Sequence, residues 1–286
     1  MPVRRLVRSL RLAFAIVVIL GAGVGPAVAA PQGRALLVGV SGYPKDVVGD
    51  LQLAGPKNDV ALMLDTLGRL GIAAENVTVL ADGLEQTTAA RRADGAPTRA
   101  AIRTALDRLA AVSGPGDFVL VHLSGHGSQQ PMADPSLHTV AKADGLEEIF
   151  LPIDIGPWED AIGTVKNALV DHELGRAVAA IRAKGATVFV VVDACHSGTM
   201  TRAAGDAVAK QVTPSALGIP EAALARARDA AAAKAATAAT RGRAGGARPS
   251  HAPWSGAAPK GPAPATASAS AVAPRGYVRF FAPRPD

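Results

Sequence analysis

The sequence predicts an α/β protein built on a mostly parallel sheet with helices on both faces. Two observations carry this reading. Short, near-continuous apolar runs alternate with segments of helical period, the pattern of strands buried on both sides and joined by helical crossovers. Two of those strands then run out into polar, glycine-punctuated clusters, and ligands gather beyond the carboxyl ends of strands in such sheets. At 286 residues and 49% hydrophobic composition, the chain can bury one sizeable core and still carry extra segments.

Each element follows from its local pattern. "RALLVGV" (34–40) is short and wholly apolar and closes on Ser-Gly-Tyr-Pro, which predicts a strand and a turn. "NDVALMLDTLGRLG" (58–71) has helical spacing, with Asn58 as N-cap and Gly71 as stop. "NVTVLAD" (76–82) is a second strand, and "TRAAIRTALDRLAAV" (98–112) a second helix capped by Thr98. "DFVLVHLSGHG" (117–127) is a third strand entering a glycine turn, followed by a polar loop and then "EEIFLPID" (147–154). "DHELGRAVAAIRAKG" (171–185) is a third helix, and "ATVFVVVDACHSG" (186–198) a further strand.

Both ends of the chain differ in character. Residues 1–29 combine a basic start, "MPVRRLVRSLR", an apolar stretch of about fourteen residues, and the small residues "AVA" at 27–29. That is a signal peptide with cleavage near Ala29, its apolar run short of the ~20 residues a membrane span needs. The expectation is a periplasmic or secreted protein with no stable membrane anchor after cleavage. Residues 203–275 are rich in Ala, Pro and Gly and poor in large apolar side chains, which predicts a disordered linker with a transient helix at most within 219–240. From Arg202 to Arg275 ten basic residues face three acidic ones, so this segment accounts for the formal charge of +6. A single interior aromatic, Trp254, argues against nucleic-acid binding there. The closing "GYVRFFAPRPD" reads as the start of a strand that returns to the sheet.

The chemistry concentrates at two strand ends, "HLSGHGSQQ" (122–130) and "DACHSG" (193–198). Cys195 is the only cysteine, so it forms no internal disulfide. It is either a small buried hydrophobe or a thiol kept for its reactivity. A thiol is mostly protonated at neutral pH, and a neighbouring imidazole such as His126 can take its proton and make it a nucleophile. Singly, the cysteine is as well explained as core filler and the histidine as a loop residue. Together, on successive sheet-edge loops, they favour catalysis.

The two motifs closely resemble the histidine and cysteine motifs of metacaspases, caspase-like cysteine peptidases of clan CD. The resemblance spans roughly residues 34–200 and includes "ALLVGVSGYP", "LAGPKNDV", "ADGLEEIFLPID" and "LVDHELGRAV" in the family's order. It implies a caspase-like three-layer α/β/α sandwich in residues 32–202, with Cys195 as nucleophile and His126 as general base and later acid. The backbone N–H groups of Gly127 and Cys195 would form the oxyanion hole, where one donor contributes about 3 kcal/mol. An acidic pocket matching Asp59 and Asp193, with Ser124 nearby, would bind protein or peptide substrates carrying Arg or Lys before the scissile bond. The competing readings are a helix N-terminal charge for Asp59 and a strand-end cap for Asp193, and the pocket reading is favoured over both.

Departures from the family pattern also carry expectations. The resemblance implies calcium ligands at Asp144 and Asp171, but His172 and Arg202 stand where the family supplies further carboxylates, so no cofactor is expected to be required and activation by calcium is the weaker alternative. Pro56 replaces a second cysteine. Residues 276–286 resemble the opening strand of the family's small subunit, and the sequence then stops, which suggests truncation. The leading expectation is an exported endopeptidase cleaving after Arg or Lys. Linker residues such as Arg226, Arg228, Lys234, Arg241, Arg243 and Arg248 are candidates for autoprocessing, and a soluble, self-repelling basic spacer explains them at least as well. The alternative is a non-catalytic or truncated caspase-fold interaction module. Another clan CD peptidase of the legumain or gingipain kind is a further option.

Overall fold

A computed structural model describes residues 30–89, 91–134, 136, 142, 144–194, 210–244 and 277–281. Residues 1–29, for which a signal peptide is expected, and Cys195, Arg202, Arg248 and Trp254 lie outside the described residues. The chain divides after Pro31.

The principal sheet has five parallel strands in the order β10-β9-β3-β1-β2. These are β1 (Gly33–Gly39), β2 (Val77–Ala81), β3 (Phe118–Ser124), β9 (Thr187–Asp193) and β10 (Tyr277–Phe281). The alternation along the strands sorts the core into two clusters. Ala35, Leu37, Val79 and Leu120 face helix α1 (Gly55–Arg69), while Leu36, Val38, Val121, Val188 and Val190 face α2 (Arg99–Val112) and α3 (Asp171–Ala183). Three layers result, α1 on one side and α2 with α3 on the other, as the resemblance implies.

The helices start where their backbone demands are met. Thr98 caps α2 as expected, its hydroxyl accepting from the Ala101 N–H at 3.2 Å. Helix α1 begins at Gly55, three residues before Asn58, because Pro56 has the backbone torsion preset for a first turn and needs no hydrogen-bond partner there. Asn58 is therefore not the cap, and Asp59 lies inside the helix. The start of α1 sits tightly on β1: a Cβ on Gly39 would come within 2.7 Å of Val60 Cγ2 and 2.9 Å of the Pro56 carbonyl. This close approach brings Asp59 to the carboxyl end of the sheet.

A second, antiparallel sheet was not anticipated. β4 (Gly127–Pro131), β5 (Leu146–Phe150) and β8 (Leu169–Val170) pair in that order, with Gly127 opposite Phe150. Its β4 strand, "GSQQP", reads as loop because its buried positions are polar: Ser128 and Gln130 are fully buried. Gln130 Oε1 accepts the Val165 N–H at 2.9 Å, and its Nε2 donates to Glu147 Oε1 at 2.7 Å and to Thr164 Oγ1 at 2.8 Å. Val165 belongs to the short β6–β7 hairpin (Trp158–Glu159 and Thr164–Val165).

The expectation of a disordered linker over 203–275 fails in its central part. Lys210, Gln211 and Val212 run alongside Gly127, a helical turn follows at Pro214–Leu217, and α4 (Glu221–Ala244) lies against β4 and β5. Val212, Leu217, Ile219 and Leu224 are buried in the main core cluster. A few well-spaced apolar residues suffice to dock this helix, whereas averaged composition hides them. Gly145 is needed under it, with φ +71 and no room for a Cβ against the Ala227 carbonyl. Arg226, Arg228 and Lys234 therefore lie on a helix rather than in extended chain. Among the described residues, no helix is long and apolar enough to cross a membrane.

Candidate active site

His126 is completely buried just past the end of β3 and is held from three directions. Its backbone N–H donates to the Tyr43 hydroxyl at 2.8 Å, and that hydroxyl donates to the Leu151 carbonyl at 3.2 Å. The Tyr43 ring lies 4.8 Å from the imidazole. His126 Nε2 stands 2.8 Å from the Leu51 carbonyl, which can only accept, so Nε2 carries the proton and Nδ1 has the free lone pair. Nδ1 is buried and has no hydrogen-bond partner among the described residues. Burial lowers the His126 pKa below its ordinary value, partly offset by the Leu51 and Lys210 backbones, while the Lys210 charge lowers it further. The ring is therefore neutral near pH 7, as a base must be.

The glycines around it leave little freedom. A Cβ on Gly125 would meet the Tyr43 hydroxyl at 2.7 Å and the Phe150 ring at 3.1 Å. The Gly125 N–H donates to the Asp193 carbonyl at 3.3 Å, so the ends of β3 and β9 are tied together. Cys195 lies outside the described residues. It follows Asp193 and the buried Ala194, which bring the chain to this tie point.

Asp59, Ser124 and Asp193 converge from three elements. Ser124 and Asp193 are register partners on β3 and β9, and Asp59 reaches them from α1. The Ser124 hydroxyl donates to Asp59 Oδ2 at 2.6 Å. The Lys210 ammonium fills the space between them: its Nζ donates to Asp193 Oδ2 at 2.5 Å, to Ser124 Oγ at 3.1 Å and to Asp59 Oδ2 at 3.2 Å. The Lys210 carbonyl meanwhile accepts the Gly127 N–H at 3.0 Å, and the Val212 N–H donates to the Gly127 carbonyl at 2.9 Å. A basic residue thus has its side chain between two carboxylates and its carbonyl on the N–H next to His126.

Sequence reasoning missed Lys210 and Tyr43. Lys210 has no local signal, sitting in a stretch that reads as linker. Tyr43 had one: a single aromatic in the "SGYP" turn at the carboxyl end of a buried strand.

The positions implied for calcium come out separated. Asp144 Oδ1 accepts the Leu146 N–H at 3.2 Å, closing the turn at Gly145, which has φ 71. Asp171 instead clusters with Glu147 and His172, with ligand-type atoms within 4.8 Å of one another. His172 Nδ1 is 3.2 Å from Glu147 Oε2, and Lys142 Nζ is 2.7 Å from Asp171 Oδ2 and paired with Glu148. Calcium prefers six to eight oxygens. An imidazole and an ammonium among these carboxylates do not fit it.

A family model described as the metacaspase, peptidase C14 domain matches residues 33–203, more than half of the chain. The chain belongs to the metacaspase family. Metacaspase-7 of Arabidopsis thaliana is 32% identical over 182 residues, covering 63% of this chain and 38% of the relative. Metacaspase-1B of Aspergillus fumigatus is 30% identical over 169 residues, covering 58% and 35%. Metacaspase-3 of Trypanosoma cruzi is 29% identical over 170 residues, covering 58% and 40%. The chain thus spans less than half the length of these metacaspase relatives. A crystallised Geobacter sulfurreducens protein is also similar, at 29% identity over 59% of this chain and 52% of its own, with a TM-score of 0.41. Metacaspases are cysteine-type peptidases, and His126 and Cys195 both fall inside the matched residues.

Proposed function

We propose that this metacaspase is an exported cysteine endopeptidase that cuts peptide bonds after Arg or Lys. Lys210 carries the reading. Its ammonium lies between Asp59 and Asp193 while its carbonyl receives the Gly127 N–H, the posture of a residue preceding a scissile bond. A partly buried pair of carboxylates favours a cationic side chain over any neutral one.

In the proposed reaction, His126 Nδ1 takes the Cys195 thiol proton, and the thiolate attacks the carbonyl carbon of the basic residue. The Gly127 and Cys195 N–H groups receive the oxyanion. The imidazolium then protonates the departing amine, leaving a thioester that water hydrolyses with His126 again as base. No step requires a metal or organic cofactor. The basic and apolar start of the chain supports delivery to the periplasm or beyond.

The test is hydrolysis of fluorogenic peptides ending in Arg, Lys, Asp or Asn by the full chain and by Cys195→Ala. Cleavage confined to Arg and Lys peptides and abolished in the variant is expected. Silence on all four from folded protein would overturn the reading in favour of a non-catalytic interaction module.

A further inference from the structure

Beyond the peptidase site, the Glu147, Glu148 and Asp171 cluster carries an inference of its own. These three carboxylates come from β5 and the first residue of α3. Glu147 is nearly fully buried, with Oε1 accepting from Gln130 Nε2 at 2.7 Å and Oε2 facing His172 Nδ1 at 3.2 Å. The remaining two, Glu148 and Asp171, are bridged by Lys142, 2.7 Å from Asp171 Oδ2 and in direct contact with Glu148 Oε2. Like charges this close repel unless a cation sits among them.

We propose that the Lys142 ammonium is the resident cation of this cluster, standing in for a divalent ion, so that the site is set without calcium. The two nitrogen-bearing residues, Lys142 and His172, occupy room and carboxylate oxygens that calcium would need, and a divalent ion beside the ammonium would be repelled. The connection to the active site runs through the small sheet. Lys142 precedes β5 at the Leu146–Pro131 end of the β4–β5 pair, and Asp171 directly follows β8, whose Val170 pairs with Ile149. The opposite end of the same pair is Gly127 against Phe150. Bridging Asp171 to Glu148 therefore ties α3 to the strand pair that presents the Gly127 N–H, using a covalently attached charge that does not vary with the surrounding ion concentration.

The experiment is calorimetric calcium titration and thermal denaturation of the full chain carrying Cys195→Ala, after chelator treatment. This reads metal binding and stability without peptidase activity, so it stands or falls apart from the proposed cleavage. With Lys142 present, no calcium uptake and no change in Tm are expected up to about 5 mM, above the range of weak extracellular calcium sites. Lys142→Gln should melt several degrees lower in chelator and recover with added calcium, whereas Lys142→Arg should keep its Tm and ignore calcium. Calcium uptake below about 1 mM with Lys142 in place would overturn the proposal. So would a Lys142→Gln variant that folds with unchanged Tm and no calcium response. Should Lys142→Gln fail to fold, a folded, calcium-indifferent Lys142→Arg supports the proposal, and a Lys142→Arg chain that binds calcium overturns it.

Discussion

Replacing Asp59 by Asn isolates the charge of one pocket carboxylate while keeping its size and its ability to accept from Ser124. The Lys210 contact sets the scale, with Nζ 3.2 Å from Asp59 Oδ2. At an effective dielectric of 20, Coulomb attraction at that distance is about 5 kcal/mol. Asp59 is about a third exposed and shares the ammonium with Asp193, so solvent screening leaves roughly 2–3 kcal/mol. That is about a 30- to 150-fold loss in kcat/KM for a peptide with Arg before the scissile bond. The assay is a double-mutant cycle: wild type and Asp59→Asn against paired peptides carrying Arg or citrulline, which has nearly the same shape and no charge. The Arg peptide should suffer the full loss and the citrulline peptide almost none. Equal losses on both would mean that Asp59 acts structurally, at the start of α1, and would refute the pocket argument.

Three further outcomes are expected. Wild-type protein should be cut in cis between Lys210 and Gln211, at a rate independent of protein concentration, and N-terminal mapping should find this cut absent in Lys210→Ala and Cys195→Ala; cleavage that rises with concentration, or never occurs in active enzyme, refutes it. Tyr43→Phe strips the buried His126 N–H of its acceptor, which should cost about 1–3 kcal/mol in denaturant unfolding, and should lower kcat more than it raises KM. His122 and His126 both have pKa values lowered chiefly by burial, so the unfolded chain takes up protons first as pH falls below about 6.5 and stability must fall with it; Tm measured from pH 7 to pH 5 should drop, less steeply in His122→Leu, and the acid limb of kcat/KM should lie below pH 6.5.

Most of the principal sheet was legible because its strands are buried on both faces and therefore apolar throughout, and because glycines at positions such as Gly71 and Gly185 stop the helices before them. The helix over 99–112 could be read almost to the residue, since a threonine cap and a helical period agree there. The antiparallel sheet was not legible. Its interior at Ser128, Gln130 and Glu147 is polar, and the hydrogen bonds that Gln130 and Glu147 make are supplied only by the folded chain. The start of α1 was misplaced because asparagine is a good cap in general, while the proline two residues earlier set the actual first turn.

By itself the sequence determined the chemistry on offer: one thiol, one histidine between two glycines, two aspartates at fixed offsets, and strands that bring them to one edge. Covalent order and side-chain type are local, and short motifs preserve them. The tertiary structure alone decided occupancy and state. It set the tautomer of His126 through the Leu51 carbonyl, brought Lys210 across more than eighty residues to Ser124, and put an ammonium among the carboxylates of Asp171 and Glu148. Such choices depend on which distant groups share a few ångströms of buried space, where a charge or an unpaired donor is expensive, and no run of neighbouring residues encodes that.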